Sequence, residues 1–302
     1  MIAADGRIVT LADGAVALAA PAKVNLYLHV VGKRADGYHL LDSLVAFAGV
    51  ADELVLRPAD GLTLTVDGPT APALADESDN LVLRAARRLA EAAGIAPHAA
   101  ITLTKRLPVA AGIGGGSADA AAALRGLAAL WRLDIAEAEL MALGLALGAD
   151  VPVCLRGRAT AMTGIGEGLA DAPALPTAWM VLVNPRVATH TPAVFKARNA
   201  AFSAAAPLTD SPADAAALAA ALAARHNDLT APACIVAPVI AEVLAALART
   251  DNALLVRMSG SGATCFALYD GAGPAEAAAA ALRTAHPAWW VAAAPLVERR
   301  MP

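Results

Sequence analysis

Short runs of apolar residues alternate with longer segments in which apolar residues recur every three or four positions. Residues 24–31 (VNLYLHVV) are apolar and partly β-branched, and residues 62–66 (LTLTV) alternate between apolar and polar side chains, so both are predicted strands. After Asn80, apolar residues recur at helical spacing as far as Gly94, which favours a helix that ends at this glycine. Further strands are predicted at residues 43–50, 53–57, 99–104, 150–162, 178–183, 253–258, 263–269 and 288–293, and further helices at residues 117–131, 136–147, 191–199, 211–225, 233–249 and 274–284.

This order of elements predicts an α+β fold, because it lacks the regular strand–helix alternation of a parallel α/β sheet. The length of 302 residues is compatible with two domains. The stretch between Gly164 and Pro176 is rich in glycine and proline and is the predicted boundary. We therefore expect an N-terminal domain at residues 1–166 and a C-terminal domain at residues 167–302.

Composition narrows the class of protein. A chain with 58% hydrophobic and 17% charged residues is not intrinsically disordered. The net charge of −4 offers no basic face, so we expect no nucleic-acid partner. The N-terminus carries acids at Asp5 and Asp13 where a signal peptide would be basic, and no uncharged apolar run is long enough to span a bilayer. With three cysteines that lack metal-ligand spacing, these features predict a cytoplasmic protein without membrane contact or an obligate protein partner.

The most informative segment is the loop at residues 108–121 (PVAAGIGGGSADAA), between a predicted strand and a predicted helix. Glycines can adopt positive φ, and their bare N–H groups can form an anion-binding nest. The helix that follows directs its free N–H groups and its positive dipole end to the same place. Ser117 lies at the junction, where its hydroxyl can cap the helix or be offered to a phosphate or a metal. The glycines of the predicted phosphate loop are Gly112, Gly114, Gly115 and Gly116.

Two better known phosphate loops do not fit these residues. A Walker A loop requires Gly-Lys-Ser/Thr, but no lysine occurs between Lys105 and Lys196. A dinucleotide fingerprint requires a glycine at its sixth position, which is Ser117 when counted from Gly112. A flexible connector remains the alternative, although clustered glycines are costly to order without a ligand. A second Gly/Ser segment at residues 258–264 could be a hairpin turn.

Five segments together resemble the galacto-homoserine-mevalonate-phosphomevalonate (GHMP) kinase superfamily. The segments are PAKVNLYLHVVGKRADGYHLLDSL (21–44), LPVAAGIGGGSADAA (107–121), LGADVPVCLRG (147–157), TPAVF (191–195) and MSGSGAT (258–264). The similarity covers most of the chain, and PAKVNL, ADGYHLLDS and GADVP are specific to one member of the superfamily. The resemblance implies ATP-dependent phosphorylation of the 2-hydroxyl of 4-diphosphocytidyl-2-C-methylerythritol, in the non-mevalonate isoprenoid pathway. It also implies an N-terminal domain like ribosomal protein S5 domain 2, a ferredoxin-like C-terminal domain and a substrate cleft between them.

The resemblance further implies that Asp150 is the catalytic base and that Lys23 lies beside it. A carboxylate within reach of a tertiary hydroxyl can take its proton as the bond to the γ-phosphorus forms. A nearby ammonium stabilises the ionised carboxylate and the charge on the transferring group. Asn25 lies on the same strand face as Lys23 and, in the family, holds the methylerythritol end. Without the resemblance, Asp150 would be a turn residue and Lys23 a surface lysine.

Aromatic residues are implied at the cytidine end of the substrate. Tyr38 and His39 match the cytidine-binding pair of the family, and Phe195 matches the opposing ring. Two rings would stack on the faces of cytosine while His39 binds its polar edge. Thr191 is placed by the same TPxxF match. Without the resemblance, Phe195 would be a core residue of a helix.

ATP is expected on the glycine loop, with Mg²⁺. The implied contacts are Asn80, Lys105, Pro108, Gly112, Gly114, Gly115, Gly116 and Ser117, while Gly260 is expected to approach the bound substrate. Asp119 occupies a position that is often Asn in relatives, and Ala118 one that is often Ser. The sequence shows no carboxylate cage, so no metal-ligating residue is assigned and Mg²⁺ is expected to arrive with ATP and to keep several waters.

Two other functions remain open. A member of the superfamily could act on homoserine, a sugar or mevalonate, but these alcohols would give the rings of Tyr38 and Phe195 nothing to stack on. A regulatory module could bind nucleotide without catalysis, but it would not need both Lys23 and Asp150.

Overall fold

The computed structural model describes residues 5–75 and 79–297. The strands are β1 (Val9–Thr10), β2 (Val16–Lys33), β3 (His39–Arg57), β4 (Leu62–Asp67), β5 (Ala99–Thr104), β6 (Thr160–Gly164), β7 (Gly168–Asp171), β8 (Trp179–Asn184), β9 (Leu255–Met258), β10 (Cys265–Tyr269) and β11 (Trp290–Val297). The helices are α1 (Leu81–Ala93), α2 (Gly115–Leu130), α3 (Glu137–Leu147), α4 (Val151–Arg156), α5 (Thr191–Ala197), α6 (Ala215–Ala223), α7 (Thr230–Val236), α8 (Val239–Ala248) and α9 (Ala272–Ala285), with a short 3₁₀ helix at Ala71–Leu74.

The N-terminal half is built on the long antiparallel pair of β2 and β3. The last residues of β3 pair with β5, which is parallel to β4, and the first residues of β3 pair with β6, which pairs with β7. Helices α1 to α4 cover one face of this sheet. Their apolar side chains, such as Leu89 and Leu124, form a core with Leu18, Leu56 and Ile101 of the strands.

The C-terminal half has the strand order β11-β8-β10-β9, with antiparallel pairing throughout. Helices connect β8 to β9, and α9 connects β10 to β11, so the chain order is βαββαβ, as in ferredoxin-like folds. Helices α7, α8 and α9 pack on this sheet around Ile240, Val243 and Leu282. The expected α+β class and the expected ferredoxin-like C-terminal arrangement are therefore confirmed.

A third core joins the two halves. Val24 and Leu26 of β2 share it with Leu182 of β8, Phe266 of β10 and Leu222 of α6. The end of β11 also pairs with β3, so hydrogen-bonded strands run continuously from one half into the other. Since Lys23 and Asn25 alternate with the core residues of β2, this packing fixes the strand that carries them.

Several predicted elements require correction. The strand predicted at residues 150–162 is wrong over Val151–Arg156, which form α4 with Pro152 in the first turn and Gly157 at its C-terminal end. A short apolar run with β-branched residues does not distinguish a strand from a buried helix. The strands predicted at residues 43–50 and 53–57 are one strand, β3. The helix predicted at residues 233–249 is two helices, which separate at Ala237 and Pro238, because a proline cannot continue the hydrogen bonding of the preceding helix. Within the described ranges, no helix is long and apolar enough to cross a membrane.

Candidate active site

Lys23 and Asp150 meet at the surface of β2. Lys23 Nζ lies 3.0 Å from Asp150 Oδ2 and donates to Asn25 Oδ1 at 2.9 Å. Lys23 is almost completely buried, whereas 38% of the Asp150 side chain is exposed. An ammonium is thus held in place beside a carboxylate that remains open to a ligand. The structure brings together the three residues for which the resemblance implies chemistry.

Asp150 is placed by the turn between α3 and α4. It is the residue immediately before α4, and the turn is closed by a hydrogen bond from Val151 N to Gly148 O at 3.0 Å. One helical turn further on, Cys154 is buried, and burial together with Asp150 raises the pKa of its thiol above the ordinary range. This cysteine therefore stays a neutral thiol and is not a second nucleophile of the site.

Asn25 connects the strand to both glycine-rich loops. Its side-chain nitrogen donates to Ser43 Oγ at 2.8 Å, and its backbone N–H donates to Ser259 Oγ at 3.0 Å. Ser259 Oγ in turn donates to Gly112 O at 3.0 Å. The serine at the start of the second loop therefore bonds to β2 and to the first loop at once. Ser43 and Ser259 lie within the segments at residues 21–44 and 258–264, but sequence reasoning assigned neither of them a contact.

The glycine loop needs glycine at two positions. Gly112 has φ +74°, and a Cβ there would lie 2.5 Å from Gly262 O and 2.8 Å from Ser259 O. Gly114 has φ +63°, and a Cβ there would lie 3.2 Å from the Lys23 side chain. Gly260 of the second loop lies between Gly112 and Asn25, since its own Cβ would be 3.0 Å from Gly112 O and 3.4 Å from Asn25 Oδ1. The two loops and β2 are in close backbone contact at this point.

The glycine loop leads directly into α2. Gly114 is the N-cap of this helix, and no side chain caps its first N–H groups. Ser117 is therefore inside the first turn, and its suggested role as the cap is wrong. Free N–H groups at the start of a long helix attract anions such as phosphate. Ser117 presents its hydroxyl on the same turn.

A cavity of about 140 Å³ adjoins this helix start. Its lining includes residues for which nucleotide contacts are implied, namely Asn80, Lys105, Pro108, Gly115 and Gly116, together with Asp119. Asn80 is the N-cap of α1, where its side-chain oxygen accepts from Val82 N at 2.9 Å. The first turns of α1 and α2 therefore line the same cavity.

Lys105 takes part in a network that sequence reasoning missed. Its Nζ donates to Asp52 Oδ2 and, at 2.7 Å, to Asp119 Oδ2. Burial acts to lower the pKa of Lys105, but the two carboxylates outweigh it and raise that pKa. Burial raises the pKa of Asp119 to about 8, against the opposing effect of Lys105 and with a further contribution from Asp52. The signals in the sequence were the position of Asp52 within an apolar segment and the presence of Asp119 where relatives often have Asn.

The aromatic residues lie near the start of β3, where His39 is the first residue. The rings of His39 and Phe195 are stacked, with centroids 4.8 Å apart and planes 19° from parallel. Burial lowers the pKa of His39, as do Lys33 and Arg198, so its imidazole is neutral and can both donate and accept. Tyr38 is 61% exposed and faces solvent. Thr191 Oγ1 lies 2.8 Å from Ser261 Oγ, which ties α5 to the second loop.

Two family models match the chain. The model for the GHMP kinases N terminal domain matches residues 80–158, and the model for the GHMP kinases C terminal matches residues 205–288. A 4-diphosphocytidyl-2-C-methyl-D-erythritol kinase from Paramagnetospirillum magneticum is 63% identical over 92% of this chain and 97% of its own length. The kinase of the same name from Rhodospirillum rubrum is 59% identical over 92% of each chain.

Solved structures show the same similarity in three dimensions. A crystal structure of 4-(cytidine 5'-diphospho)-2C-methyl-D-erythritol kinase has a TM-score of 0.76 and 38% identity, over 93% of this chain and 99% of that one. Homoserine kinase from Cytophaga hutchinsonii has a TM-score of 0.72 over 97% of this chain and 98% of its own. At 18% identity, this second likeness concerns the fold alone. Both likenesses extend over the N-terminal and the C-terminal half.

Proposed function

The chain belongs to the 4-diphosphocytidyl-2-C-methyl-D-erythritol kinases of the GHMP kinase family, and on that premise we propose how its residues carry out the reaction. It is an ATP-dependent kinase of isoprenoid synthesis. The proposed reaction transfers the γ-phosphoryl group of ATP to the 2-hydroxyl of 4-diphosphocytidyl-2-C-methyl-D-erythritol. The observation that supports this chemistry is the contact of 3.0 Å between the buried Lys23 amine and the open Asp150 carboxylate, beside the glycine loop.

Asp150 acts as the general base. Its carboxylate takes the proton of the 2-hydroxyl as the new oxygen–phosphorus bond forms and the bond between the β- and γ-phosphates breaks. ADP leaves, and the proton passes from the partly exposed carboxyl group to water. Lys23 stabilises the ionised carboxylate before the reaction and the charge of the phosphoryl group during it. Asn25 holds the Lys23 ammonium at 2.9 Å and lines the side from which the methylerythritol enters.

The nucleotide phosphates are placed at the start of α2. The free N–H groups of this turn, preceded by Gly112 and Gly114 at positive φ, form a concave site for anions. The Ser117 hydroxyl on the same turn donates to a phosphate oxygen. The cavity beside Asn80 and Pro108 takes the nucleoside part.

Mg²⁺ fits this site as a companion of ATP. Among the described residues, no group of three or more His, Cys, Asp and Glu side chains is arranged to hold a metal ion. The carboxylates nearest the loop are already paired, Asp150 with Lys23, and Asp52 and Asp119 with Lys105. Bound with ATP, the ion would offset the charge of the β- and γ-phosphates, with water in its remaining positions.

The cytosine is placed against the aromatic pair. The Phe195 ring already stacks on His39, which shows that it accepts a flat partner on this face. Cytosine would take that stacking position while the neutral His39 turns its nitrogens to the polar edge of the base. The exposed Tyr38 is free to close on the other face of the base.

We also keep the residue 166–167 boundary as the proposed division between the ATP-binding and substrate-binding domains.

The experiment that tests this function is ADP release with Mg·ATP and a panel of alcohols. The panel contains 4-diphosphocytidyl-2-C-methyl-D-erythritol, 2-C-methylerythritol 4-phosphate, homoserine, galactose and mevalonate. Turnover is expected with the first compound alone, because it alone has a base to stack on Phe195. Turnover with another alcohol would overturn the stacking argument. If no compound of the panel gave ADP release while ATP still bound, a regulatory module would be favoured.

A further inference from the structure

Two carboxylates share one ammonium beneath the first turn of α2. Lys105, Asp52 and Asp119 are 2%, 0% and 3% exposed, so all three side chains are almost completely buried. With both acids ionised, the cluster would carry one uncompensated negative charge. A buried charge without a partner is strongly unfavourable, and a carboxyl group avoids this cost by keeping its proton.

The hydrogen bonds show which acid keeps the proton. Asp52 Oδ1 accepts from the backbone N–H groups of Arg106 and Leu107, and its Oδ2 accepts from Lys105. Asp119 accepts from Lys105 through Oδ2, whereas its buried Oδ1 has no hydrogen-bond partner among the described residues. Three donors stabilise the ionised form of Asp52, and only one stabilises that of Asp119.

The other elements packed on α2 add little charge. Cys154 of α4 interacts electrostatically with Asp119 but stays a neutral thiol, because burial raises its pKa. From β2, Lys23 is paired with Asp150. The Arg106 guanidinium turns outward to Glu53, at 2.9 Å. The side chains that α1 and α3 bury are apolar: Val82, Ala85, Ala86, Leu89 and Ala90 of α1, and Leu147 of α3.

We propose that Asp119 is a neutral carboxylic acid at neutral pH, and that Asp52, Lys105 and Asp119 are positioning residues whose single shared proton is linked to nucleotide binding. This inference rests on the proposed function only in taking the adjoining cavity as the nucleotide site. In this arrangement the two acids take two of the three N–H donors of the Lys105 ammonium. The cluster as a whole is electrically neutral.

The cluster is close enough to the phosphate site for its charge to matter. Lys105 Nζ lies 3.6 Å from the position of a Cβ on Gly115, the first residue of α2. Lys105, Asp119, Gly115 and Gly116 also line the same cavity. Loss of the proton from Asp119 would place a net negative charge directly behind the N–H groups that receive the phosphates. Such a charge opposes the helix dipole and repels the nucleotide.

Binding of Mg·ADP tests the proposal without any acceptor alcohol. Titration calorimetry would compare the wild type, Asp119→Asn and Asp134→Asn across a range of about two pH units on each side of the pKa of Asp119. The amide that Asp119→Asn introduces can still accept from Lys105 through its oxygen, but it cannot ionise. Asp134 is an exposed aspartate beyond the end of α2, so its variant makes the same carboxyl-to-amide substitution outside the cluster.

The wild type and Asp134→Asn are expected to lose affinity for Mg·ADP at alkaline pH, by up to about tenfold per pH unit. Asp119→Asn is expected to lack this loss of affinity at alkaline pH. Repeating the calorimetry in buffers of different ionisation enthalpy should show that the wild type takes up protons when Mg·ADP binds and that Asp119→Asn does not. The same pH dependence in the wild type and in Asp119→Asn would overturn the proposal. Binding of Mg·ADP without turnover of the cytidine substrate would overturn only the proposed function, and failure to bind at every pH would overturn both.

Discussion

Replacing Gly112 with alanine would insert a methyl group into the contact between the two glycine-rich loops. The new Cβ would lie 2.5 Å from Gly262 O and 2.8 Å from Ser259 O, whereas ordinary contacts begin at 3.4 Å. Both neighbours are backbone atoms and cannot rotate away. The second loop must therefore retreat from the first by about 0.9 Å, the difference between 3.4 Å and 2.5 Å.

The size of the effect follows from two contributions. A non-glycine residue at φ +74° costs about 1–2 kcal/mol, part of which is offset because alanine restricts the unfolded chain. Overpacking against fixed backbone costs about 1–3 kcal/mol more. We expect Gly112→Ala to lower the free energy of unfolding by about 2–4 kcal/mol. A misplacement of about 1 Å between Asn25 and the phosphate loop is expected to lower kcat/KM by about 100-fold.

Gly14→Ala is the matched control. Gly14 lies in the turn between β1 and β2 at φ +77°, and a Cβ there would meet nothing within 4 Å. The two variants share the backbone strain but not the clash. Urea unfolding and ADP release with the cytidine substrate would measure stability and kcat/KM for both. Equal loss of stability in the two variants, with kcat/KM of Gly112→Ala near the wild-type value, would refute the reasoning.

Three further predictions concern the site. Asp150→Asn should lower kcat by about 10²–10⁴-fold while Mg·ADP still binds in calorimetry, and near-native turnover would show that Asp150 is not the base. Phe195→Ala should raise the KM for the cytidine substrate by roughly tenfold, since a stacked base contributes about 1–3 kcal/mol; an unchanged KM in a protein that melts early would make Phe195 a core residue instead. Because the pKa of Asp119 is raised, the folded state holds a proton that the unfolded state releases near pH 3.8. Asp119 therefore lowers the free energy of unfolding progressively as the pH rises from 3.8 to about 8. Urea unfolding across this range should show a smaller decline for Asp119→Asn than for the wild type, and parallel curves would contradict the assignment.

The glycine loop was predictable because it depends on local backbone conformation. Glycine tolerates positive φ and close backbone approach, and both occur at Gly112 and Gly114. The second half of β2, predicted at residues 24–31, and the helix α1 were predictable for a similar reason, since hydrophobic periodicity and terminal signals such as Asn80 and Gly94 are local. The first half of β2, from Val16, was not predicted. Backbone conformation, hydrophobic periodicity and helix ends depend mainly on the local sequence, so they can be inferred from a single segment.

The features that failed depend on tertiary contacts. Val151 and Val153 favour a strand by propensity, but Pro152 begins a helix, and the surrounding core buries all three residues. β3 was divided into two predicted strands at residues 51–52, where Asp52 interrupts an apolar pattern. In the structure the strand is continuous, and Asp52 accepts a hydrogen bond from Lys105 at this point. A buried ion network joins residues that are remote in sequence, and no local pattern specifies such partners.

The geometry of the site depends on the packing of both halves. Asn227 donates to Met258 O and to Gly260 O at 2.8 Å each, and so holds the second loop from the C-terminal side. Ser259 of that loop bonds to Asn25 and to Gly112 on the N-terminal side. If the halves separated, the strand that carries Lys23 would lose its contact with the phosphate loop through Ser259. The backbone around Asn25 and Gly112 is therefore held from both halves, as the proposed in-line phosphoryl transfer requires.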